Sequence, residues 1–250
     1  MKQNNEKNKK IAFITGSARR LGKAIALQLH SENIDVIVHC NNSLKEANKL
    51  VSDMNSRRDN SAISIKFNLR DFLNYEKIIS ALGEKWSNID VLINNASTFY
   101  PTDIESSTTE DWDGLHDVNL KAPFFLSKIF YENLKKNNGC IINIVDIYSD
   151  NPLENFSIYS TAKAGLKMLT KSLAVEFGPK VRVNGISPGS ILWPEIKEYE
   201  SKHQEIIDST LLKRQGSTDD IANTCIFLIK NADYITGQII NVDGGRNLTR

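Results

Sequence analysis

Two side chains four residues apart have the chemical types that could move a proton during a redox reaction. Tyr159 and Lys163 lie on one face of the same predicted helix, since residues four apart are neighbours on a helix surface. A nearby ammonium favours tyrosinate and should lower the pKa of the tyrosine. Tyr159 is therefore a candidate proton donor or acceptor for hydride transfer. A Tyr-x-x-x-Lys match is common by chance, so its surroundings decide its meaning.

A turn rich in small and basic residues follows the first apolar run of the chain. In TGSARRLG, residues 15–22, Gly16 permits a tight turn and Gly22 permits close packing of the next helix. The start of that helix then offers free N–H groups to a phosphate. Two glycines are weak evidence, but Arg19 and Arg20 add cations that can neutralise a further phosphate. The alternative is an ordinary turn with two solvated surface arginines.

The end of the second predicted strand carries no carboxylate. Its residues are Cys40, Asn41, Asn42 and Ser43. Enzymes that use NAD commonly place an acidic residue there to hold the ribose 2′-hydroxyl. Asparagine and serine can instead donate hydrogen bonds to a 2′-phosphate, which an acid would repel. The sequence therefore predicts NADPH as the cofactor.

Short apolar runs alternate with longer amphipathic ones along the chain. The runs predict seven strands, at 11–15, 36–39, 62–67, 90–94, 141–145, 181–186 and 238–242. Helices are predicted between them at 21–31, 43–57, 72–86, 110–136 and 159–177. Buried strands separated by helices predict an α/β fold with a doubly wound parallel sheet, whose ligands bind at the carboxyl ends of the strands. The irregular segment 188–216 is predicted to be a lid over the substrate.

Composition narrows the function classes. The chain has 250 residues, 40% of them hydrophobic, and a formal net charge of +1. This predicts one domain at 10–250 after a disordered tail at 1–9, and no nucleic-acid partner. The N-terminus is polar and no run of about 18 apolar residues exists, so we expect a cytoplasmic protein without a membrane span. The three cysteines and four histidines lack metal-ligand spacing, so no metal is expected.

The motifs together, in this order and spacing, resemble the short-chain dehydrogenase/reductase family over essentially the whole chain after Lys9. The resemblance is carried by the 15–22 turn, Asn94-Asn95-Ala96-Ser97, Asn119, Tyr159-Ser160-Thr161-Ala162-Lys163, Pro188-Gly189 and Asp243-Gly244-Gly245. It implies a Rossmann-type fold, a nicotinamide cofactor and a homotetramer. It also implies that Tyr159 and Lys163 serve catalysis, that Lys163 holds the nicotinamide ribose, and that Asn119 supports a proton relay through water.

The residues expected to bind the cofactor lie in the loops after the strands and on the helix that carries Tyr159. They are Gly16, Arg19, Arg20, Leu21, Asn41, Asn42, Ser43, Asn68, Leu69, Asn95, Ala96, Ser97, Tyr159, Lys163, Pro188, Gly189 and Ser190.

Two residues depart from the general family. Arg20 replaces the middle glycine of the usual turn, and Asp146 replaces the serine usual thirteen residues before the tyrosine. A serine donates a hydrogen bond to a substrate carbonyl, which an ionised aspartate cannot do. A simple ketone reductase is therefore disfavoured.

Both departures resemble the pteridine reductases. So do NASTFYP at 95–101, the pair Val145-Asp146, SLKEAN at 43–48 and the ending Leu248-Thr249-Arg250. The residues after the second strand differ, because these proteins often have His-Arg-Ser where this chain has Asn41-Asn42-Ser43, and a phosphate contact is lost or replaced. Asn68 stands where an aspartate commonly meets the adenine, and its oxygen can still accept from the adenine amino group.

This subgroup resemblance implies reduction of a pterin, either a dihydropterin or biopterin or a dihydrofolate-like molecule, as part of folate metabolism. Phe99 would stack on the pterin opposite the nicotinamide, and Ser97 and Arg20 would bind both cofactor and pterin. Asp146 and Tyr159 would handle protons. Trp193 would either close over the site or serve as a packed anchor of the lid.

Two alternatives remain open from the sequence. The first is a carbonyl reductase of the same family that acts on a 3-oxoacyl group or a related ketone, and Asp146 argues against it. The second is a regulator that binds NADP without turnover. Intact Asp146, Tyr159 and Lys163 argue against that one.

Overall fold

The computed structural model describes residues 9–193 and 203–249, which contain a seven-stranded, all-parallel sheet in the order β3-β2-β1-β4-β5-β6-β7. The strands are β1 (Ile11–Ile14), β2 (Asp35–Cys40), β3 (Ala62–Lys66), β4 (Val91–Asn94), β5 (Cys140–Ile144), β6 (Arg182–Pro188) and β7 (Ile239–Val242). The helices are α1 (Arg20–Ser31), α2 (Leu44–Arg57), α3 (Glu76–Ser87), α4 (Thr109–His116), α5 (Ala122–Lys136), α6 (Ser157–Phe177), α7 (His203–Asp208) and α8 (Thr218–Lys230). The predicted doubly wound α/β fold is confirmed.

The helices cover both faces of the sheet because the central strands are apolar on both sides. Along β1, Ala12 and Ile14 pack with α1, α2 and α8, whereas Ile11 and Phe13 pack with α3, α5 and the end of α6. The rings of Phe13 and Phe130 lie 5.1 Å apart between their centroids. Burying a side chain of this size contributes about 1.5–3 kcal/mol, so the two layers of core hold the strand ends rigidly in register.

The strand order reverses between β1 and β4, which pair with Ile14 opposite Ile93. The loop after β1 and the loop after β4 therefore meet at the same edge of the sheet. Thr15 ties them together, because its Oγ1 accepts hydrogen bonds from the backbone N–H groups of Asn95 and Ala96, both at 2.9 Å. This is the crevice in which ligands of doubly wound sheets bind.

Several predicted elements differ in detail. The predicted helix at 110–136 comprises α4, a π-helical turn at Asp117–Lys121, and α5. The predicted helix at 72–86 begins as a 3-10 turn, and Gly83 interrupts it with φ +69°. Helix α8 was not predicted, although Ser217 and Asp220 form a capping box at its start.

Two predicted segments lie partly outside the described residues. Residues 1–8 of the expected tail fall there, as do residues 194–202 of the expected lid. The described part of segment 188–216 is not wholly irregular, since β6 extends to Pro188 and α7 occupies His203–Asp208. No helix in the described ranges is long and apolar enough to cross a membrane.

Candidate active site

A cavity of about 680 Å³ lies at the carboxyl ends of the strands, and every predicted cofactor-binding residue except Ser190 lines it. The turn after β1, the ends of β2 and β3, the loop after β4 and helix α6 all contribute to its wall. The predicted cofactor residues are thus brought together, although they are spread over most of the chain. Doubly wound sheets bind dinucleotides at the point where the strand order reverses, which is where this cavity lies.

Two glycines allow the backbone of the first turn to approach its neighbours closely. Gly16 has φ +62°, a conformation that favours glycine. A Cβ on Gly22 would lie 2.5 Å from Asn95 Nδ2 and 2.5 Å from the carbonyl oxygen of Gly16. Asn95 Nδ2 also donates to the carbonyl of Thr15 at 2.8 Å. The start of α1 is therefore locked against the loop after β4, with its N–H groups directed toward the cavity edge.

His39 supports this turn and was missed by sequence reasoning. The backbone N–H of Gly16 donates to its Nδ1 at 3.1 Å, and its Nε2 lies 3.0 Å from the carbonyl oxygen of Phe67. These partners require the proton on Nε2. Burial lowers the pKa of His39 to about 4, so the ring is neutral at physiological pH. Its position at the end of β2 was the only sequence signal.

The end of the cavity near the turn after β1 is rich in positive charge and amide groups. Arg19, Asn41 and Asn42 are exposed at its mouth, and the only carboxylate along the cavity wall within the described residues is Asp146. Arg20 has φ +51°, which costs an arginine about 1–3 kcal/mol and is typical of functional sites. Its Nη2 donates to the carbonyl of Trp193 at 2.8 Å.

Asp146 and Tyr159 form a hydrogen-bonded pair at the inner end of the cavity. The Tyr159 hydroxyl donates to Oδ2 of Asp146 at 2.7 Å, and the backbone N–H of Tyr148 donates to Oδ1 at 3.0 Å. Tyr159 is buried on α6, one helical turn before Lys163, whose Nζ donates to the carbonyl of Ile144 at 2.9 Å. The expected alignment of the three residues is thus present, with the carboxylate in direct contact with the phenol.

The charges of this pair differ from the sequence prediction. Burial, followed by the negative charge of Asp146, raises the pKa of Tyr159 well above its ordinary value. The prediction that Lys163 lowers the pKa of Tyr159 is therefore wrong. The ammonium of Lys163 lies 5.8 Å from the centre of the Tyr159 ring and donates its hydrogen bond to the carbonyl of Ile144. Burial also raises the pKa of Asp146 and lowers that of Lys163 to about 8. Tyr159 stays protonated, and Asp146 accepts a proton more readily than a solvated carboxylate.

Asn119 is fully buried behind the cavity, in the π-helical turn. Its Oδ1 accepts from the Ser97 hydroxyl at 2.6 Å, and its Nδ2 donates to the carbonyl of Leu115 at 2.8 Å. In this wider turn the Leu115 carbonyl accepts a hydrogen bond from the Asn119 side chain. Single π-helical turns are frequent at functional sites. Asn119 positions Ser97 at the cavity wall, and its predicted part in a water relay stays a prediction.

A second cavity, of about 190 Å³, adjoins the first and brings together the predicted substrate residues Arg20, Phe99, Asp146, Tyr159 and Trp193. The ring of Phe99 stacks on Phe156 at 4.4 Å between centroids and meets Tyr159 edge-on at 4.8 Å. Ser97 lines the larger cavity instead.

Three of the side chains in the wall of the smaller cavity are held by contacts with other residues. The Trp193 ring stacks on His203, 3.7 Å away between centroids, which links the two described ends of the lid segment. Ser190, a predicted cofactor residue, lines this smaller cavity rather than the larger one, and its hydroxyl accepts from Arg246 Nη1 at 3.1 Å. Arg246 itself was missed, because a lone arginine after two glycines carries no sequence signal.

Comparison with known proteins places this geometry in a family. The family model described as enoyl-(acyl carrier protein) reductase matches residues 16–247. Pteridine reductase 1 of Leishmania tarentolae is 32% identical, over 96% of this chain and 97% of that protein. A 3-oxoacyl-(acyl-carrier-protein) reductase of Buchnera aphidicola is 35% identical, over 95% and 97% respectively. One from Synechocystis is 33% identical, over 94% and 96%.

These relatives match nearly the whole chain. The family is one of oxidoreductases that use NAD(H) or NADP(H), as the turn after β1 and the Tyr159-Lys163 pair predicted. The chain belongs to the short-chain dehydrogenase/reductase family.

Proposed function

We propose that this protein uses NADPH to reduce a pterin ring, with Asp146 and Tyr159 delivering the proton. The observation that carries the proposal is the 2.7 Å hydrogen bond between Tyr159 Oη and Asp146 Oδ2 beside Phe99. A pterin presents N–H groups that a carboxylate accepts, and a flat ring that stacks on an aromatic side chain. It also needs a proton on a ring nitrogen when hydride reaches the adjacent carbon.

The cofactor residues fit NADPH. Arg19, Arg20, Asn42 and Ser43 offer donors to a 2′-phosphate, and no carboxylate stands at the end of β2 to repel it. Lys163 would hold the nicotinamide ribose, and the loop with Asn95 and Ala96 would border the ring. The bound cofactor supplies a hydride, which this chain's own groups cannot do.

Proton delivery follows from the pair's electrostatics. Tyr159 donates its proton to Asp146 in the hydrogen bond between them, and burial raises the pKa of both groups. Because its pKa is raised, Asp146 can take a second proton from water and pass one on to the substrate nitrogen. The reduced ring then carries one added hydride and one added proton, and solvent restores the pair.

A ketone reductase is the second candidate, and relatives of that kind match this chain as well as the pteridine reductase does. The common mechanism of a ketone reductase needs a donor to the carbonyl oxygen beside the tyrosine. Asp146 occupies that position, and an ionised carboxylate there would oppose a developing oxyanion. The contact between Asp146 and Tyr159 therefore favours the pterin.

NADPH oxidation with matched substrates separates these functions. Purified protein should oxidise NADPH in the presence of dihydrobiopterin or dihydrofolate, and at least about 100-fold more slowly with an acetoacetyl thioester. Faster oxidation with the thioester would overturn the proposal in favour of ketone reduction. NADPH binding without turnover of either substrate would support a non-catalytic regulator.

A further inference from the structure

Arg246 is a buried cation at the wall of the smaller cavity. It lies in the 3-10 turn Arg246–Leu248 that follows Asp243-Gly244-Gly245, and only 4% of its surface is exposed. Its Nε donates to the hydroxyl of Ser209 at 3.1 Å, and its Nη1 donates to the hydroxyl of Ser190 at 3.1 Å. Both partners are neutral.

No carboxylate of the described residues lies within ion-pair distance of this guanidinium. Asp243, the nearest in sequence, accepts from the backbone N–H groups of Gly245 and Asn247 at 3.0 and 2.8 Å. Asp146 lines the same cavity and attracts Arg246 only from beyond ion-pair distance, because its oxygens accept from Tyr159 and from the backbone of Tyr148. Removing a charge from water without a counter-charge costs several kcal/mol. A fold retains such a group most readily where a ligand supplies the opposite charge.

The orientation of the guanidinium leaves one edge available. The Nε side and one N–H of Nη1 are used by the two serines, and Nη2 has no acceptor within residues 9–193 and 203–249. The Nη1–Nη2 edge can bind a carboxylate through two parallel hydrogen bonds. Ser190 and Ser209 hold the fork in place, so little side-chain entropy is lost on binding.

We propose that Arg246 binds a carboxylate on the side chain of the substrate, so that the preferred pterin carries an acidic substituent. This inference rests on the proposed function, because it places the pterin ring in the smaller cavity, which Phe99, Asp146 and Tyr159 line. It narrows the substrate class from pterins in general to acidic ones, such as a folate-type or a carboxyl-substituted pterin. A pterin with a neutral side chain leaves the guanidinium without a direct ion pair and binds more weakly.

Two pterins that carry either a charged or a neutral substituent at C6 test this proposal. The probes are 6-carboxypterin and 6-hydroxymethylpterin, titrated into the protein loaded with NADP⁺ so that binding is measured without turnover. Wild-type protein should bind the carboxylate roughly 10–100-fold more tightly, the range of a charged hydrogen-bonded pair. Arg246→Gln should weaken only 6-carboxypterin, and Arg246→Lys should keep part of the preference. The Kd of both variants for NADP⁺ should stay within about 3-fold of the wild-type value, because Arg246 does not line the larger cavity.

Other outcomes overturn the proposal. Equal binding of both probes by the wild-type protein would overturn the proposal. This measurement needs no variant, so it holds even if Arg246→Gln fails to fold. Equal weakening of both probes in Arg246→Gln would show that the arginine only holds the segment around Ser190 and Ser209. Selective binding of 6-carboxypterin without turnover of any dihydropterin would sink the proposed function while leaving this inference intact.

Discussion

Arg20 is the residue at which cofactor and substrate sites meet, since it lines both cavities. We predict that Arg20→Ala weakens NADPH by roughly 10–100-fold, the range expected for losing a charged hydrogen bond to a phosphate, and NADH by less than about 3-fold. The two Kd values, measured by fluorescence titration, check this. Lys136→Ala, an exposed lysine at the end of α5, serves as the control. Equal weakening of both nucleotides would contradict the assignment of the 2′-phosphate to this residue.

Lys163 gives the protein a pH-dependent stability. Burial lowers its folded-state pKa from 10.5 to about 8, so between these pH values the unfolded chain binds more protons than the folded one. Its contribution to the free energy of unfolding therefore rises with pH across this window, and is lost as pH falls through about 8.

Denaturant melts at pH 7.5 and 10 measure this effect. Wild type should gain stability relative to Lys163→Met as the pH rises, because methionine replaces the four-carbon stem of lysine with an unbranched side chain of similar length that has no proton to lose. A difference between the two proteins that stays constant with pH would contradict the buried, depressed lysine.

Individual residues show where sequence reasoning was sufficient. Asp146, Tyr159 and Lys163 were placed correctly because helical spacing and a strand end determine their neighbours. The direction of the Tyr159 pKa shift was not predicted correctly, because it depends on burial and on the contact with Asp146, thirteen residues earlier in sequence. Arg246 escaped notice for the same reason, since its serine partners lie 37 and 56 residues before it.

Among the elements, α1 approaches the loop after β4 closely. A Cβ on Gly22 would lie within 2.5 Å of Asn95 Nδ2 and of the Gly16 carbonyl, so Gly22→Ala must push the helix away. We predict a lower melting temperature and a loss of NADPH affinity of at least about 10-fold, since overpacking typically costs 1–3 kcal/mol. Gly114→Ala in α4 is the control, because its Cβ would meet only the Tyr100 hydroxyl, at 3.0 Å. Equal effects of the two changes would contradict this account.

The seven strands were predictable because continuous apolar runs have few other uses in a chain of this size. The π-helical turn at Asp117–Lys121 was not, because one extra residue in a turn leaves the apolar pattern nearly unchanged. Helix α8 carried a usable signal in Ser217 and Asp220, which was overlooked. Local sequence thus predicts elements well and their irregularities poorly.

The molecule as a whole exposes apolar side chains on its long helices. Phe124 on α5 and Met168 and Val175 on α6 are 41%, 61% and 83% exposed, respectively. Such a surface favours association with further copies of the chain. We predict a homotetramer with two-fold symmetric interfaces that pair these helices, to be measured by light scattering at micromolar concentration.

Substituting charged residues for these apolar side chains should dissociate the tetramer. Met168→Glu combined with Val175→Glu should yield a smaller species, whereas Leu73→Glu, which is 97% exposed in the 3-10 turn before α3, should leave the tetramer intact. A wild-type monomer would contradict the prediction outright.

The most direct test of the account is single-turnover NADPH oxidation by Asp146→Ala with a saturating dihydropterin. Because Asp146 contacts Tyr159 and the substrate cavity, its removal should slow the pterin reaction by roughly 10²–10⁴-fold, the usual effect of losing a positioned proton donor. The Kd for NADPH should stay within about 3-fold of wild type. Asp146→Ser should fail to restore pterin reduction, since serine is a poor acid, and should gain measurable ketone reduction. Pterin turnover near the wild-type rate in Asp146→Ala would contradict the central claim.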